Sequence, residues 1–516
     1  MLKKVVIVDF GSQVTQLIAR SVRSQKVYCE VVPFNKFSLK YIKNENPVGI
    51  ILSGSPLSVT KRGFPSIKRE IFFLGIPILG ICYGMQLISS ALGGKIKKIS
   101  GREYGDTSIR VIKKSSICPN NWKTKTKHNV WMSHGDSVKT LPKNFISFAK
   151  SNNENFVGIA NEKMKIFGLQ FHPEVTHTKD GKSIIKKFLF EVCKCKPQWN
   201  MKKFKKENIT LLKKKLVNKK VICGLSGGVD SSVAALLLNK AIGKRLLCIF
   251  VDHGLLRMGE KQEIHNFFKK KSNFKFISVD ASKQFMKVLK GVTDPEKKRK
   301  LIGKEFIKTF DKCANKYKGI EYLAQGTLYP DVIESRSVTG APSATIKSHH
   351  NVGGLPKKMN LKLVEPLNTL FKDEVRILGK ELGLSDNIRN RHPFPGPGLA
   401  IRILGEVTKS RLEILRQADK IYIDLLKKEK LYDKIWQAFC VLLPVKTVGV
   451  MGDSRTYENV CAIRAVTSVD GMTADYYPFD QTFLKKISNN IINKVKGINR
   501  VVYDTTSKPP GTIEWE

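Results

Sequence analysis

Two short segments carry the side chains that a thiol hydrolase needs. In GICYG (residues 80–84) a cysteine separates an apolar, strand-like run from a helical one, and glycines lie two residues away on each side. Such glycines permit the sharp strand-to-helix turn that exposes a nucleophile, and a helix N-terminus stabilises a thiolate. FHPE (residues 171–174) supplies a histidine and a carboxylate. These residue types predict a catalytic triad of Cys82, His172 and Glu174.

The spacing within these segments predicts how the triad is arranged. Residues i and i+2 of a strand share a face, so we expect Glu174 to orient His172 while His172 accepts the thiol proton. Backbone N–H groups of Gly54, in a predicted turn, and of Tyr83 could stabilise an oxyanion. A buried structural cysteine is the alternative interpretation of Cys82.

A second segment with chemical potential is SGGVDSS (residues 226–232), between the strand-like VICGL and a helical run. Backbone N–H groups at a helix N-terminus can cradle phosphates. The loop contains no lysine and is therefore not a Walker A motif. A Gly/Ser turn that merely precedes a helix is the alternative. The residues predicted to bind phosphates are Ser226, Gly227, Gly228, Val229, Asp230, Ser231 and Ser232.

The elements that must position these residues follow an α/β pattern. In residues 1–192, β-branched runs such as VVIVDF, VGIILSG, IPILGIC and KIFGLQF alternate with helical or turn-rich segments, and in residues 218–392 VICGL, RLLCIFVD, KFISVD and YLAQGT do the same. This pattern predicts two parallel-sheet α/β domains. Between them, residues 193–217 are polar and basic, which predicts a linker. A Pro/Gly-rich stretch then introduces residues 393–516, predicted to form a small α+β domain.

The first domain resembles the class I glutamine amidotransferases, because DFGSQ, SGSP, GICYGMQ and FHPE occur in that family's order across essentially all of residues 1–190. The resemblance implies that Cys82 attacks the glutamine carboxamide, forms a glutamyl thioester and releases ammonia. It also implies that Gln86 and the segment WMSHGD (residues 131–136), with His134 and Asp136, line the glutamine pocket.

The loop SGGVDSS resembles that of the ATP pyrophosphatases, which hold the β,γ-pyrophosphate of ATP during attack on the α-phosphorus. The resemblance makes Asp230 the candidate ligand for Mg²⁺, which such chemistry needs to neutralise charge. The segment FVDHGLLR ends the next predicted strand, where an open α/β sheet places its nucleotide. Val251 is accordingly the predicted adenine contact.

Nearly the full chain resembles the GMP synthetase family, through DPEKKRKLIG (294–303), IKSHHNVGGLP (346–356), RHPFPGPGLAIRILGE (391–406) and KPPGTIEWE (508–516). The resemblance implies that glutamine, ATP and XMP are the substrates, that adenylyl-XMP is the intermediate, and that the C-terminal domain forms a homodimer. It implies a mobile lid that carries Lys347. The implied XMP-binding residues are Arg299, Gln437, Lys508, Ile513 and Glu514.

Two other functions remain open at this point. Another glutamine-dependent ATP pyrophosphatase, such as an NAD synthetase, would normally carry a different type of glutaminase. A basic nucleic-acid-binding protein that has lost catalysis would fit the net charge of +47, from 91 Lys and Arg against 44 Asp and Glu. The lysines are scattered and not interleaved with aromatic residues, so we expect no nucleic-acid partner.

Composition predicts the compartment. Ten cysteines in 516 residues are too sparse for a disulfide scaffold, and most lie in apolar runs. The apolar run before Asp9 is too short for a signal peptide, and the stretch from Ile71 to Tyr83 is too short to span a membrane. We therefore expect a cytoplasmic enzyme that does not bind membranes.

Overall fold

The computed structural model describes residues 3–270, 273, 275–336, 361–451, 454–468, 471 and 473–516. The chain forms two compact units. Among the described residues, the first unit contains residues 3–203 and 330–336, and the second contains those from 204 to 329 and from 361 to 516.

The first unit is built on a nine-stranded sheet with the order β2-β1-β3-β4-β9-β8-β7-β5-β6. Its strands are β1 (Val5–Asp9), β2 (Cys29–Pro33), β3 (Gly49–Leu52), β4 (Ile78–Ile81), β5 (Lys95–Val111), β6 (Lys127–Thr140), β7 (Ile146–Ser151), β8 (Gly158–Asn161) and β9 (Ile166–Leu169). Its α-helices are α1 (Thr15–Ser24), α2 (Leu39–Glu45), α3 (Tyr83–Ala91) and α4 (Gly181–Lys187). Short 3-10 helices cover Phe34–Lys36 and Arg69–Phe73, and a π-helix covers Phe188–Val192.

Half of this sheet is parallel. Strands β2, β1, β3, β4 and β9 run parallel, and every residue of β1, β3, β4 and β9 is buried. A parallel strand is covered on both faces, which explains the continuous apolar runs seen in the sequence. Strands β8, β7, β5 and β6 extend the sheet in antiparallel fashion.

The second unit contains a five-stranded parallel sheet with the order β12-β11-β10-β13-β14. Its strands are β10 (Lys220–Leu225), β11 (Leu246–Asp252), β12 (Lys275–Asp280), β13 (Ile320–Ala324) and β14 (Lys362–Val364). The helices from this part of the chain are α5 (Met201–Lys215), α6 (Val229–Ile242), α7 (Glu260–Lys269), α8 (Ser282–Leu289), α9 (Pro295–Ala314), α10 (Tyr329–Arg336), α11 (Lys372–Glu381) and α12 (Asp386–Arg389). Of these, residues 201–203 of α5 and residues 330–336 of α10 belong to the first unit. Short 3-10 helices cover Gly243–Arg245 and Gly398–Arg402.

A smaller four-stranded sheet completes the second unit. It contains β15 (Gln437–Met451), β16 (Ser454–Thr467), β17 (Asp475–Tyr476) and β18 (Ile498–Asp504), and β16 pairs with each of the other three. Helices α13 (Lys409–Lys428) and α14 (Gln481–Lys494) pack on β15 and β18, and a 3-10 helix covers Tyr432–Lys434. The predicted fold class, two α/β sheets and a C-terminal α+β segment, is confirmed.

Two details bear on the predicted domain boundaries. Residues 201–215, inside the predicted linker, form helix α5. Residues on both sides of the predicted boundary between 392 and 393 belong to the second unit, and one hydrophobic cluster includes Ile222 and Ile249 of the parallel sheet together with Cys440 and Ile463 of the smaller one. The boundaries themselves stay a prediction.

Candidate active site

Cys82 lies in the turn between β4 and α3, in a backbone conformation that side chains rarely adopt. Its φ is +52° and its ψ is −105°. The two glycines that flank it are required by close packing: a Cβ on Gly84 would lie 2.4 Å from the carbonyl oxygen of Leu52, and a Cβ on Gly80 would lie 2.5 Å from the carbonyl carbon of Gly84. Helix α3 can therefore start directly against β3 and β4, which imposes the strained turn at Cys82.

His172 and Glu174 form a close pair, but not through the strand face that the sequence suggested. Strand β9 ends at Leu169, and both residues lie in the turns that follow. His172 Nδ1 is 2.7 Å from Glu174 Oε1, and the Glu174 side chain is fully buried. The expectation of a shared strand face is wrong, because the chain leaves the sheet before His172. The turn, not the pleat, brings the two side chains together.

The environment of His172 favours its protonated form. Burial lowers the pKa of the imidazole, but the Glu174 carboxylate and the Cys82 side chain both raise it, and the net pKa lies well above the ordinary value. The effect of Cys82 on this pKa places its side chain close to the imidazole. The three predicted triad residues therefore lie together, with His172 paired with Glu174 and beside the thiol.

Other groups surround the thiol. Cys82 is 6% exposed, its Sγ lies 3.5 Å from the carbonyl oxygen of Ser133, and Gln170 Nε2 lies 3.7 Å from the same sulfur. Ser133 belongs to the segment WMSHGD that was predicted to line the glutamine pocket, whereas Gln170 was not predicted from the sequence. A buried glutamine at the end of a strand gives no recognisable local pattern.

The two predicted oxyanion donors lie beside the triad. A Cβ on Gly54 would meet His172 Cε1 at 3.4 Å, so the Gly54 backbone borders the imidazole. Tyr83 is the first residue of α3, where an α-helix provides no partner for the backbone N–H group. The Tyr83 side chain points elsewhere, since its hydroxyl donates to the carbonyl oxygen of Pro65.

The three residues predicted for the glutamine pocket form one hydrogen-bonded group. The carbonyl oxygen of Asp136 lies 2.8 Å from Gln86 Nε2, which donates to it, and 3.1 Å from His134 Nδ1. His134 Nε2 lies 3.0 Å from Glu103 Oε2, across the β5–β6 pair. The imidazole beside Glu103 lowers the pKa of that carboxyl, against the opposing effect of burial.

The loop SGGVDSS connects β10 to α6, as predicted. Ser231 Oγ lies 3.2 Å from the Ser226 backbone N–H and 3.1 Å from Ser226 Oγ, and Ser232 Oγ donates to the carbonyl oxygen of Gly228 at 2.8 Å. Gly227 has a φ of +82°, and a Cβ there would lie 2.4 Å from the Ile264 side chain. The seryl groups fold the loop into a compact turn at the N-terminus of α6, whose Val229 and Asp230 are the first two helical residues.

Two basic residues that the sequence analysis did not single out hold this loop. Lys372 Nζ, at the start of α11, lies 2.5 Å from Asp230 Oδ2. Arg391 donates to the carbonyl oxygen of Gly227 at 3.0 Å and pairs with Glu260 and Glu263 of α7, each at 2.5 Å. An isolated lysine or arginine far along the chain gives no signal of such a contact.

Asp230 also has a feature that suits a metal ion. Its Oδ1 atom is buried and has no hydrogen-bond partner among the described residues. Within the described ranges, no cluster of three or more His, Cys, Asp and Glu side chains could hold a metal. Mg²⁺ commonly binds through one or two carboxylates while substrate phosphates and water complete its coordination. The residues present therefore fit an Mg²⁺ ion that binds together with a nucleotide.

Val251, the predicted adenine contact, is near the carboxyl end of β11 and is 2% exposed. Its side chain belongs to the hydrophobic cluster of the second unit. Lys347 of the predicted lid lies outside the described residues.

Four of the five residues predicted to bind XMP either lie in the segment of residues 512–516 or contact it. Gln437 Nε2 donates to Glu514 Oε1 at 2.6 Å, Ile513 is buried, and Arg299 donates to the backbone carbonyl oxygen of Glu516. Lys508 Nζ donates to the carbonyl oxygen of Gly471 at 2.8 Å.

A buried arginine that was not predicted completes this group. Arg402 is 0% exposed and donates to both carboxylate oxygens of Glu514, at 3.0 and 2.8 Å. Its guanidinium lies 4.1 Å from the ring centroid of Phe439. The bidentate pair fixes the Glu514 carboxylate in one orientation.

Family models match three parts of the chain. "Glutamine amidotransferase class-I" matches residues 6–192, "NAD synthase" matches residues 202–316, and "GMP synthase C terminal domain" matches residues 424–515. Fold and site together define a ligase that combines a glutamine amidotransferase with an ATP pyrophosphatase. The predicted resemblances to the class I glutamine amidotransferases and the ATP pyrophosphatases are confirmed.

Relatives extend this similarity to the full chain. The glutamine-hydrolyzing GMP synthase of Brucella canis is 57% identical over 512 residues, which cover 99% of this chain and 98% of the relative. That of Brucella ovis is 56% identical over the same shares of both chains. The chain belongs to the family of glutamine-hydrolysing GMP synthases, and the predicted resemblance is confirmed.

Proposed function

We propose that this protein converts XMP, ATP, glutamine and water to GMP, AMP, pyrophosphate and glutamate, in de novo guanine nucleotide synthesis. One observation carries the proposal: a single chain contains Cys82 beside the His172–Glu174 pair and an SGGVDSS turn at a helix N-terminus, in a sequence that aligns with GMP synthases over 99% of its length.

In the first reaction, Cys82 attacks the glutamine carboxamide carbon. His172 takes the thiol proton and gives a proton to the leaving ammonia, and Glu174 keeps the imidazole oriented and stabilises its charge. The N–H groups of Gly54 and Tyr83 receive the oxyanion. Water then hydrolyses the thioester to glutamate and frees Cys82.

Gln86, His134 and Asp136 belong to the glutamine pocket in this proposal. Gln86 and His134 already contact the Asp136 carbonyl oxygen, so their role is to hold the β6 backbone beside Cys82. The Asp136 carboxylate carries the charge that would attract the substrate's α-ammonium group.

In the second reaction, the turn of residues 226–232 holds the pyrophosphate of ATP through its backbone N–H groups and hydroxyls. Asp230 would hold Mg²⁺, which when bound neutralises phosphate charge. When Mg²⁺ and ATP bind, the Lys372 side chain would leave Asp230 and contact the phosphates. Val251 borders the adenine.

The acceptor is XMP. Its O2 attacks the α-phosphorus of ATP, pyrophosphate leaves, and ammonia then attacks C2 and releases AMP with the former O2 atom. Arg299 and Lys508 are cations suited to the 5′-phosphate, and Gln437 and Glu514 offer hydrogen-bonding groups to the purine or ribose, beside the apolar Ile513. Lys347 is proposed to act from a lid.

Residues 202–316 match the NAD synthase model. We attribute this match to an ATP pyrophosphatase reaction that the two enzymes share, and not to NAD synthesis by this chain. The match supports an ATP pyrophosphatase fold for that region. The class I amidotransferase match and the GMP synthase C-terminal match on either side both favour GMP formation.

The predicted domains, compartment and assembly form part of the proposal: an amidotransferase domain over residues 1–192, a synthetase domain over residues 218–392, a dimerisation domain over residues 393–516, and a cytoplasmic location. All ten cysteines are free thiols, which suits a reducing compartment. No helix in the described part of the chain could cross a membrane.

An isotope experiment tests the central step. XMP labelled with ¹⁸O at O2 is incubated with ATP, MgCl₂ and ammonium, and the nucleotide products are analysed by mass spectrometry. We expect the label in the phosphate of AMP and none in pyrophosphate. Unlabelled AMP alongside GMP would refute the adenylyl intermediate, and absence of GMP would refute the choice of acceptor.

A further inference from the structure

Lys298 is an unusually buried lysine. It lies on α9 and is 0% exposed, whereas its neighbours Lys297 and Lys300 are exposed. Its Nζ donates to the carbonyl oxygen of Ala400 at 3.3 Å, to that of Ile403 at 2.7 Å and to Glu516 Oε2 at 2.5 Å. An ammonium has three protons to donate, and each finds an acceptor.

Such a site is costly to build. An ammonium group is tolerated in a protein interior only where it is paired and hydrogen-bonded. Burial lowers the pKa of Lys298 although Glu516 opposes that change, and burial raises the pKa of Glu516 although Lys298 opposes it. A buried ion pair of this kind contributes little net stability, because the desolvation of both charges offsets their attraction. What the three hydrogen bonds of Lys298 do provide is a fixed position for Glu516.

The segment that Lys298 holds is the one that carries the proposed XMP contacts. Glu516 is two residues from Glu514 and three from Ile513. Arg464, also 0% exposed, donates to the backbone oxygens of Thr512 and Ile513 at 3.1 and 3.2 Å. The segment is thus held at both ends by buried cations.

We propose that Lys298 is a positioning residue for XMP: by holding Glu516 it fixes residues 512–516 so that Ile513 and Glu514 are already placed when the nucleotide arrives. This inference rests on the proposed XMP site. If a segment is already ordered before the ligand binds, the entropy lost on ordering it does not reduce the free energy of binding. Loss of the contact should therefore weaken XMP binding selectively.

The test compares Lys298→Met with Lys297→Met in the full-length protein. Both remove one lysine charge from the same helix, but Lys297 is exposed. Ammonium serves as nitrogen source, so that glutamine hydrolysis does not enter the rate. We expect K298M to raise KM for XMP about tenfold, as for loss of a charged hydrogen bond, with KM for ATP changed less than about twofold. K297M should match the parent.

Glu516→Gln and Glu516→Ala provide the test if K298M does not fold. The glutamine still accepts a hydrogen bond but carries no charge, so we expect E516A to raise KM for XMP more than E516Q does. An unchanged KM for XMP in folded K298M, or in both Glu516 variants, would overturn the inference. A parent protein that makes no GMP from XMP would instead overturn the proposed function.

Discussion

At the scale of single residues, the thiol and the imidazole meet because of backbone geometry more than side-chain type. Cys82 occupies a strained conformation that packing of Gly80 and Gly84 enforces, and His172 is presented by a turn beyond β9. Strain of this kind costs on the order of 1–3 kcal/mol and persists only where the surrounding structure imposes it. The position is consistent with a nucleophile that must project from the sheet.

Replacement of Glu174 by Gln should move the pH dependence of glutamine hydrolysis. Glu174 raises the pKa of His172 against the effect of burial, so its neutral replacement lowers that pKa. If the protonated imidazole must supply the ammonia proton, activity is lost as pH rises through the pKa of His172. The alkaline limb of kcat/KM for glutamine should therefore shift to lower pH, and the maximum should fall by roughly 10²-fold or more.

The control for this experiment is Glu191→Gln, since Glu191 is an exposed partner of Lys187 in the same unit. This variant should have the same pH dependence of kcat/KM for glutamine as the parent. An alkaline limb in E174Q at the parent's pH would contradict the proposed charge coupling.

The sequence identified the triad positions but not their mutual geometry. Residue types and glycine spacing were enough to single out Cys82 and His172, whereas the strand-face argument for Glu174 was wrong because the end of β9 could not be located. Lys372 and Arg402 were missed since each acts through a partner more than 100 residues away in the chain. Such long-range ion pairs have no local signature.

At the scale of elements, the parallel strands were predictable and the antiparallel ones were not. Strands β1, β3, β4 and β9 are buried along their length and read as apolar runs. Strand β6 alternates between buried and exposed residues, and its neighbour β5 begins with KIKKIS, which resembles a surface loop. One solvated face weakens the apolar signal on which strand prediction depends.

Gly84→Ala tests the close approach of α3 to β3. The added Cβ would lie 2.4 Å from the Leu52 carbonyl oxygen, so the backbone must shift. We expect a cost of about 1–3 kcal/mol, with a melting temperature lower by about 2–4 °C for each kcal/mol and a loss of glutamine hydrolysis as Cys82 is displaced.

Gly303→Ala is the matched control, because a Cβ there meets nothing within 4 Å and the residue lies inside helix α9. Alanine should leave activity intact and raise stability slightly. A G84A protein with parental activity and melting temperature would show that the turn tolerates rearrangement.

At the scale of the whole molecule, the chain carries two reaction centres in two compact units, and an exposed apolar strand face that suits self-association. Val448 pairs with Tyr457 across β15 and β16, and Val450 lies on the same face. Their exposed fractions are 52%, 62% and 75%. Apolar side chains grouped in this way commonly mark an interface.

The double substitution Val448→Glu/Val450→Glu should convert the proposed dimer to a monomer, because it buries two carboxylates in an apolar contact. Light scattering coupled to size exclusion, at several protein concentrations, measures the change. Thr60→Glu, at an exposed position in the first unit, adds one carboxylate away from this strand face and should leave the dimer intact. A double variant that is as dimeric as the parent would place the interface elsewhere.

The measurement that tests the account most directly is GMP formation by the parent and by Cys82→Ala, from XMP, ATP and MgCl₂, with either glutamine or ammonium as nitrogen source. We predict that C82A loses glutamine-supported synthesis and retains ammonium-supported synthesis, since the thiol serves only the release of ammonia. Synthesis from glutamine in C82A, or no GMP from either nitrogen source in the parent, would contradict the two-site account.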